Sequence, residues 1–290
     1  MGLIKKSLFV RCAETSVHIA ERLVCMISPI FVVLAVSLLS LVIIVHFTVI
    51  IPFYSDYVTI TGLIHLAISG FLSQGIMLNY AAAVLTNPGY PPFPKDVKDL
   101  PRKYKVCKKC NRIRPPRAHH CGAINTCVLK MDHYCPWVAN CVGHHNHKPF
   151  VLFLMYLWMG TFYAACMVFI PFKMSTSFSQ PWPLPISRSI VMFDFIISAA
   201  VFVALAVLFA WQIYLVFTNQ TSIEVAINHE SVSVYNNPYD LGYARNFREF
   251  MGTEKGSFWF SWLLPAIIGG TTTEGDGTSY PTNNNGGNRV

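Results

Sequence analysis

The sequence predicts an all-α polytopic membrane protein, with four transmembrane helices and a small cysteine-rich cytosolic domain between helices 2 and 3. Three observations predict it. Hydrophobic residues make up 53% of the chain and charged residues only 12%, against about 25% charged in soluble domains. Four apolar stretches, near 29–52, 60–86, 150–172 and 189–217, are long enough to span a bilayer, which takes roughly 20 residues. Six of the nine cysteines crowd between Cys107 and Cys141, in the polar segment separating the second and third stretches.

In chain order, residues 1–28 mix apolar side chains (Leu3, Ile4, Leu8, Phe9) with basic ones (Lys5, Lys6, Arg11, Arg22) and predict an amphipathic interfacial segment. No cleavable signal peptide is evident, and Lys6 occupies the place of the hydroxyl required for myristoylation. Spans 1 and 2 (29–86) are joined near Tyr54-Ser55-Asp56-Tyr57 without Lys or Arg. The loop of about 173–188 between spans 3 and 4 (150–217) carries only Lys173 and Arg188. Segment 87–149 is dense in both, so the positive-inside rule puts it and both termini in the cytosol. The net charge of +8 is then explained by topology and anionic lipid, with no nucleic-acid partner. The Asn219-Gln220-Thr221 sequon falls on the cytosolic side and is expected to stay unglycosylated. His65, Gln74, Asn79 and Asp194 read as interhelical or interfacial hydrogen-bonding residues. Asn87-Pro88-Gly89-Tyr90-Pro91-Pro92 ends the second span. Residues 218–268 form a cytosolic C-terminal domain in which Ser257 to Gly269 is apolar but too short to span. Residues 269–290 are Gly-, Thr- and Asn-rich and are expected to be disordered.

The cysteine-rich segment carries the chemistry. Cysteines interleaved with histidine in a basic loop favour thiolate chemistry on a reducing face over a disulfide framework. Cys107-x2-Cys110 is a zinc-knuckle spacing, and His120 and Cys127 complete a Cys3His set for a tetrahedral structural zinc. Asp132-His133-Tyr134-Cys135-Pro136-Trp137 follows.

This run, from Cys107 to Cys141, resembles the cysteine-rich domain of the Asp-His-His-Cys (DHHC) protein S-acyltransferases, as an Asp-His-Tyr-Cys variant. Separate matches extend the resemblance over most of the chain. Asn87-Pro88-Gly89 stands for the family's Asp-Pro-Gly, Thr221-Ser222-Ile223-Glu224 for its Thr-Thr-x-Glu, and Asn237-Pro238-Tyr239 to Asn246 for its C-terminal element. The family holds two zinc ions. The positions of the first are intact here, whereas those of the second read Cys121, Ile124, Tyr134 and Cys141. Ile has no donor atom and phenol is a poor zinc ligand beside thiolate and imidazole, so one structural zinc is expected, with Cys121 and Cys141 vestigial. Packing of Ile124 against Tyr134, worth roughly 2–3 kcal/mol per buried side chain, is expected to replace the second ion. The alternative is rescue by His119, His144, His145 or His147.

The resemblance implies transfer of palmitoyl from palmitoyl-CoA to cysteines of membrane-associated proteins, through an acyl-enzyme on Cys135, in the endoplasmic reticulum or Golgi. The residues fit that chemistry. A thioester donor needs a soft nucleophile, which the Cys135 thiolate supplies. His133 can move the proton and Asp132 can fix the imidazole tautomer. CoA phosphates need cations. Arg112, Arg114, Arg117, Lys130 and Lys148 are available, with Arg114 and Arg117 preferred. Phe150, Phe153, Leu157, Gly160 and Ala164 recur on one face of the third span and are expected to line an acyl-chain cavity, unless Gly160 merely serves helix packing. Thr221, Ser222 and Asn246 are expected to support the site, with the Thr221 and Ser222 hydroxyls bonding Asp132 or His133. The competing readings are a catalytically silent zinc scaffold that recruits proteins to the membrane, and a small channel or metal transporter, which the lack of repeats and paired intramembrane charges disfavours.

Overall fold

The computed structural model describes residues 8–96, 104–179, 181–230, 237–252 and 275–283. The apolar run from Ser257 to Gly269 and the first seven residues lie outside the described residues. Four helical segments are long and apolar enough to cross a membrane. The first comprises α1 (Leu8–Val45), a π-helical turn (His46–Ile50) and α2 (Ile51–Tyr54). The others are α3 (Ile60–Leu85), α4 (His147–Ser175) and α5 (Arg188–Thr218). Between α3 and α4 lie three antiparallel hairpins: β1–β2 (Lys105–Val106, Ile113–Arg114), β3–β4 (His119–Cys121, Thr126–Val128) and β5–β6 (His133–Cys135, Asn140–Val142). Two short helices follow α5, α6 (Ser222–Glu230) and α7 (Tyr243–Met251).

The bundle core joins α3, α4 and α5. Gly75 makes the close approach of α3 to α4 possible, because a Cβ there would fall within 2.6 Å of the Tyr156 ring. His65 on α3 hydrogen-bonds the Tyr163 hydroxyl on α4 at 2.7 Å, an interhelical bond of the kind its sequence position suggested.

Two expectations are corrected. The boundary drawn after residue 28 is not a structural break, because α1 runs unbroken from Leu8 into the first span. Its Pro29 interrupts the hydrogen-bond ladder without ending the helix, and Ser28 Oγ donates to Val24 O one turn back (2.6 Å). The tail is also not structureless throughout: residues 275–283 lie against the cysteine-rich segment, with Tyr280 only 3% exposed.

The hairpins are fastened to the helix ends by asparagines. Asn140 donates from Nδ2 to the carbonyls of Ala83, Val84 and Thr86, satisfying groups that the C-terminus of α3 leaves unpaired. Asn146 accepts from Gly143 N–H (2.8 Å) and donates to Cys141 O (2.8 Å), fixing the entry to α4. Asn87-Pro88-Gly89 closes on the same domain, with Leu129 N–H donating to Gly89 O and His145 N–H to Pro88 O. Strand β5 is therefore held at the mouth of the bundle.

Candidate active site and metal centre

Cys107, Cys110, His120 and Cys127 place one ligand atom each within 4.8 Å of one another, the only such group found among the described residues. The knuckle turn runs through Asn111 at φ 55°, a left-handed conformation Asn tolerates. Cys107 Sγ lies 3.6 Å from His120 Nδ1 and Cys110 Sγ 3.5 Å from Cys127 Sγ. These spacings suit a tetrahedral ion, since Zn–S bonds of about 2.3 Å separate two sulfurs by roughly 3.8 Å. Burial opposes ionisation of Cys107, but the backbone N–H groups of Cys110 and Lys109 and the neighbouring thiols outweigh it and bring its pKa down to about 7. A metal would find a readily ionised thiol there.

The second lobe is built differently. Cys121 and Cys141 are both buried, and their sulfurs are 2.8 Å apart. Ile124 and Tyr134 pack on a cluster formed by Cys121, Ala123, Val128, Met131 and Cys141. Tyr134 does more than fill space: its hydroxyl donates to Ser28 Oγ on α1 at 3.0 Å. Two of the four histidines that might have rescued a second ion are engaged elsewhere. His147 Nε2 bonds Gln212 Oε1 (2.9 Å), and His144 Nε2 donates to Gly275 O (3.2 Å).

Asp132, His133 and Cys135 converge as their sequence order allows. Strand β5 pairs with β6 in the register His133 with Val142, Tyr134 with Cys141 and Cys135 with Asn140. The 1%-exposed Asp132 carboxylate receives three donors among the described residues: His133 Nδ1–H (2.7 Å), Gln212 Nε2–H (3.0 Å) and the backbone N–H of Ser222. Burial pushes its pKa up, but the hydrogen bonds from His133 and the Ser222 N–H and the charges of His147 and His133 prevail and hold it well below the usual carboxylate range. His133 shows the reciprocal effect. Burial lowers its pKa, whereas hydrogen bonds to Asp132 and Cys135 raise it to about 9. With Nδ1 committed to Asp132, Nε2 faces Cys135, and the raised pKa lets the ring hold the proton that the thiol gives up.

Cys135 is 8% exposed and opens into a cavity of about 420 Å³ running down between the spans. Phe150, Phe153, Leu157, Gly160 and Ala164 all line it. Its far wall includes His46, Ser69 and Tyr163, with His46 Nε2 3.1 Å from Ser69 Oγ.

The supporting residues need correction. Neither the Thr221 nor the Ser222 hydroxyl bonds Asp132. Thr221 Oγ1 accepts from Glu224 N–H (3.3 Å) while Glu224 Oε2 accepts from Thr221 N–H (2.9 Å), a capping box that starts α6. Ser222 meets Asp132 through its backbone, and its hydroxyl accepts from Trp211 Nε1–H instead. Asn246 donates to Phe217 O (2.7 Å) and accepts from Leu241 N–H (2.9 Å), tying α7 to the end of α5. Gln212 was not singled out by the sequence. Its signal was there, since a lone amide in an apolar span marks an inward-facing functional position.

Arg117 is not available to a ligand phosphate. Its side chain is fully buried and forks onto Glu224 (Nε–Oε1 2.7 Å, Nη2–Oε2 2.8 Å) while donating to Asn219 Oδ1 and O (both 2.9 Å). The same clamp occupies Asn219, 5% exposed, leaving a glycan no access to it. Lys130 is buried next to Arg117, and Lys148 donates to Met251 O (2.8 Å). Arg112 donates to Pro91 O and stacks on Phe93 at 4.3 Å. Arg114, half-buried beside His119, is the preferred cation that keeps its candidacy.

A family model described as DHHC palmitoyltransferase matches residues 101–229. The chain is 30% identical over 304 residues to palmitoyltransferase ZDHHC16A of Danio rerio, covering 87% of this chain and 77% of that protein. It is 38% identical over 205 residues to palmitoyltransferase ZDHHC20 of Mus musculus (63% and 52% covered) and 36% identical over 182 residues to ZDHHC2 of the same species (61% and 46% covered). With this site at the mouth of a four-helix membrane bundle, the chain belongs to the DHHC palmitoyltransferase family.

Proposed function

We propose that this chain transfers palmitoyl from palmitoyl-CoA to cysteine thiols of membrane-associated proteins, through a thioester on Cys135. One observation carries the reading: the Cys135 thiol meets His133, itself held by Asp132, at the point where an apolar cavity opens. Attack by Cys135 sulfur on the thioester carbonyl expels CoA thiolate, and a protein thiolate then takes the acyl group by the same exchange. Exchanging one thioester for another is close to balanced, so positioning and an activated thiolate are what the protein supplies. The chain's Asp-His-Tyr-Cys sequence changes a position outside the nucleophile, base and orienting acid. Segment 87–149 and both termini face the cytosol, in the endoplasmic reticulum or Golgi, and Arg114 contributes to holding the CoA phosphates. The test is to incubate the purified full-length protein with a palmitoyl-CoA analogue. One hydroxylamine-labile acyl group per chain, on the peptide containing Cys135, is expected, and its absence would favour the scaffold reading.

The metal centre holds one structural zinc on Cys107, Cys110, His120 and Cys127, which pins the β-hairpins and takes no part in proton or acyl transfer. Metal analysis should find one tightly held zinc per chain. The double variant Ile124→Cys/Tyr134→His, which restores four ligands (three Cys and one His) at the second lobe, should raise the count towards two. Two zinc ions in the unaltered protein would sink the one-zinc reading.

The acyl chain runs along α4 towards Gly160. Gly160 lines the cavity beside Ile76, whose Cδ1 would be 2.8 Å from a Cβ at that position, so a larger side chain there must push into the lower part of the cavity. Palmitoyl and stearoyl should both be accepted by the unaltered protein. Gly160→Tyr should cut acylation by both about tenfold or more while sparing shorter acyl chains, because one misfit methylene alone is worth about 1–3 kcal/mol. Competition between acyl-CoAs of graded length measures this, and an unchanged chain-length preference would refute the cavity assignment.

A further inference from the structure

Residues 275–283 make a turn shaped to fit the cysteine-rich domain. Asp276 accepts from Thr278 N–H (2.9 Å) and Oγ1–H (2.8 Å), and Gly275 and Gly277 adopt φ of 93° and 73°. At Gly277 a Cβ would stand 2.9 Å from the His144 ring, so glycine is needed for the close approach as well as for the backbone conformation. His144 Nε2 donates to Gly275 O, which leaves Nδ1 facing the Tyr280 hydroxyl (3.4 Å). The 3%-exposed Tyr280 ring covers two buried cations, with Arg117 Cζ at 5.1 Å and Lys130 Nζ at 5.9 Å from its centroid. Tyr239 covers Arg117 from another side at 4.4 Å.

We infer that Tyr280 is a positioning residue for acyl transfer: by closing over Arg117 it holds Glu224, and with it the N-terminus of α6, against Asp132. This rests on the proposed roles of Asp132, His133 and Cys135. Arg117 forks onto Glu224, Glu224 closes the capping box with Thr221, and the next N–H, of Ser222, donates to Asp132. A charged pair is strong only while water is kept from it. With the ring removed, water reaches the Arg117–Glu224 pair, the grip on α6 loosens, and Asp132 loses a fixed donor. His133 then samples orientations that do not face Cys135. Small misplacements of this kind cost rate out of proportion to their size.

The experiment compares wild type, Tyr280→Ala, Tyr280→Phe and Gly277→Ala as full-length proteins in nanodiscs. It measures the rate of Cys135 acylation at saturating palmitoyl-CoA, the KM for palmitoyl-CoA, and bound zinc. Tyr280→Ala should lower the saturated rate about tenfold or more with KM within about twofold and zinc retained. Tyr280→Phe should restore the rate, because the ring rather than the hydroxyl faces Arg117. Gly277→Ala lifts the segment without altering Tyr280 and should reproduce the rate loss, which keeps the inference testable if Tyr280→Ala does not fold. An unchanged rate in Tyr280→Ala or Gly277→Ala, or a change confined to KM, would overturn it. No acylation by the wild type would sink the underlying reading and the inference together; normal wild-type acylation with unaffected variants would sink the inference alone.

Discussion

Cys135→Ser should abolish the hydroxylamine-labile acyl label, lowering acylation by about a thousandfold or more, while zinc content stays unchanged. The substitution replaces sulfur by oxygen in a nearly closed position, 8% exposed and already facing His133, so the fold has little reason to respond. The chemistry responds strongly, because an alcohol is a far weaker nucleophile than a thiolate at neutral pH and the imidazole must then do all the activation. Labelling with a palmitate analogue, split into hydroxylamine-treated and untreated halves, reads the result. A labile label that persists in Cys135→Ser would place the acyl group on another cysteine. The buried Cys121 and Cys141 are poorly placed to replace it, since neither lines the cavity.

Sequence reasoning reached the elements whose signal is local. Spans follow from runs of apolar residues, and the first metal set follows from Cys107-x2-Cys110 with His120 and Cys127, because one turn and one hairpin bring those four atoms together. The proton-moving residues sit on a single strand, so adjacency in the chain survives as adjacency in space. Long-range geometry was not legible. Arg117 looked like a ligand cation because it lies in a basic loop, and nothing local shows that its partner Glu224 is 107 residues away. Tyr280 lies in a stretch whose composition argues for disorder, yet two glycines and Asp276 make a turn that only the shape of the Arg117 region gives a purpose. Tyr134 was legible as a lost ligand, but its bond to Ser28 required knowing that α1 runs unbroken through Ser28 beside the hairpins. In the second lobe Tyr134 therefore supplies both packing and a hydrogen bond to the first span.

Asp132→Asn should reduce the saturated rate of Cys135 acylation by two to four orders of magnitude, about the range seen when an orienting carboxylate is neutralised in a triad, with KM for palmitoyl-CoA little changed. The carboxylate is an acceptor on both oxygens: Oδ1 for the Ser222 N–H, Oδ2 for His133 Nδ1–H and Gln212 Nε2–H. An amide of the same shape must present one NH2. If it turns the NH2 towards Ser222, two donors face each other in a buried place, at a cost of about 1–3 kcal/mol, and α6 must move. If it turns the NH2 towards His133, the ring meets it only as the other tautomer, with Nδ1 bare and the proton on Nε2. That tautomer cannot accept the proton of Cys135, and Gln212 must also rotate, disturbing its bond to His147. Both arrangements leave the cavity and the metal set intact, so palmitoyl-CoA binding and zinc content should stay near wild type while the chemical step fails. Raised His133 protonation adds a second readout. The hydrogen bond to Asp132 keeps the folded-state pKa near 9, above the ordinary 6.5, so its stabilisation is full below 6.5 and lost as pH rises through about 9. Wild-type thermal stability should therefore fall across that window, and Asp132→Asn should flatten the fall. A variant that retained both the wild-type rate and the wild-type pH dependence would show that Asp132 does not orient His133.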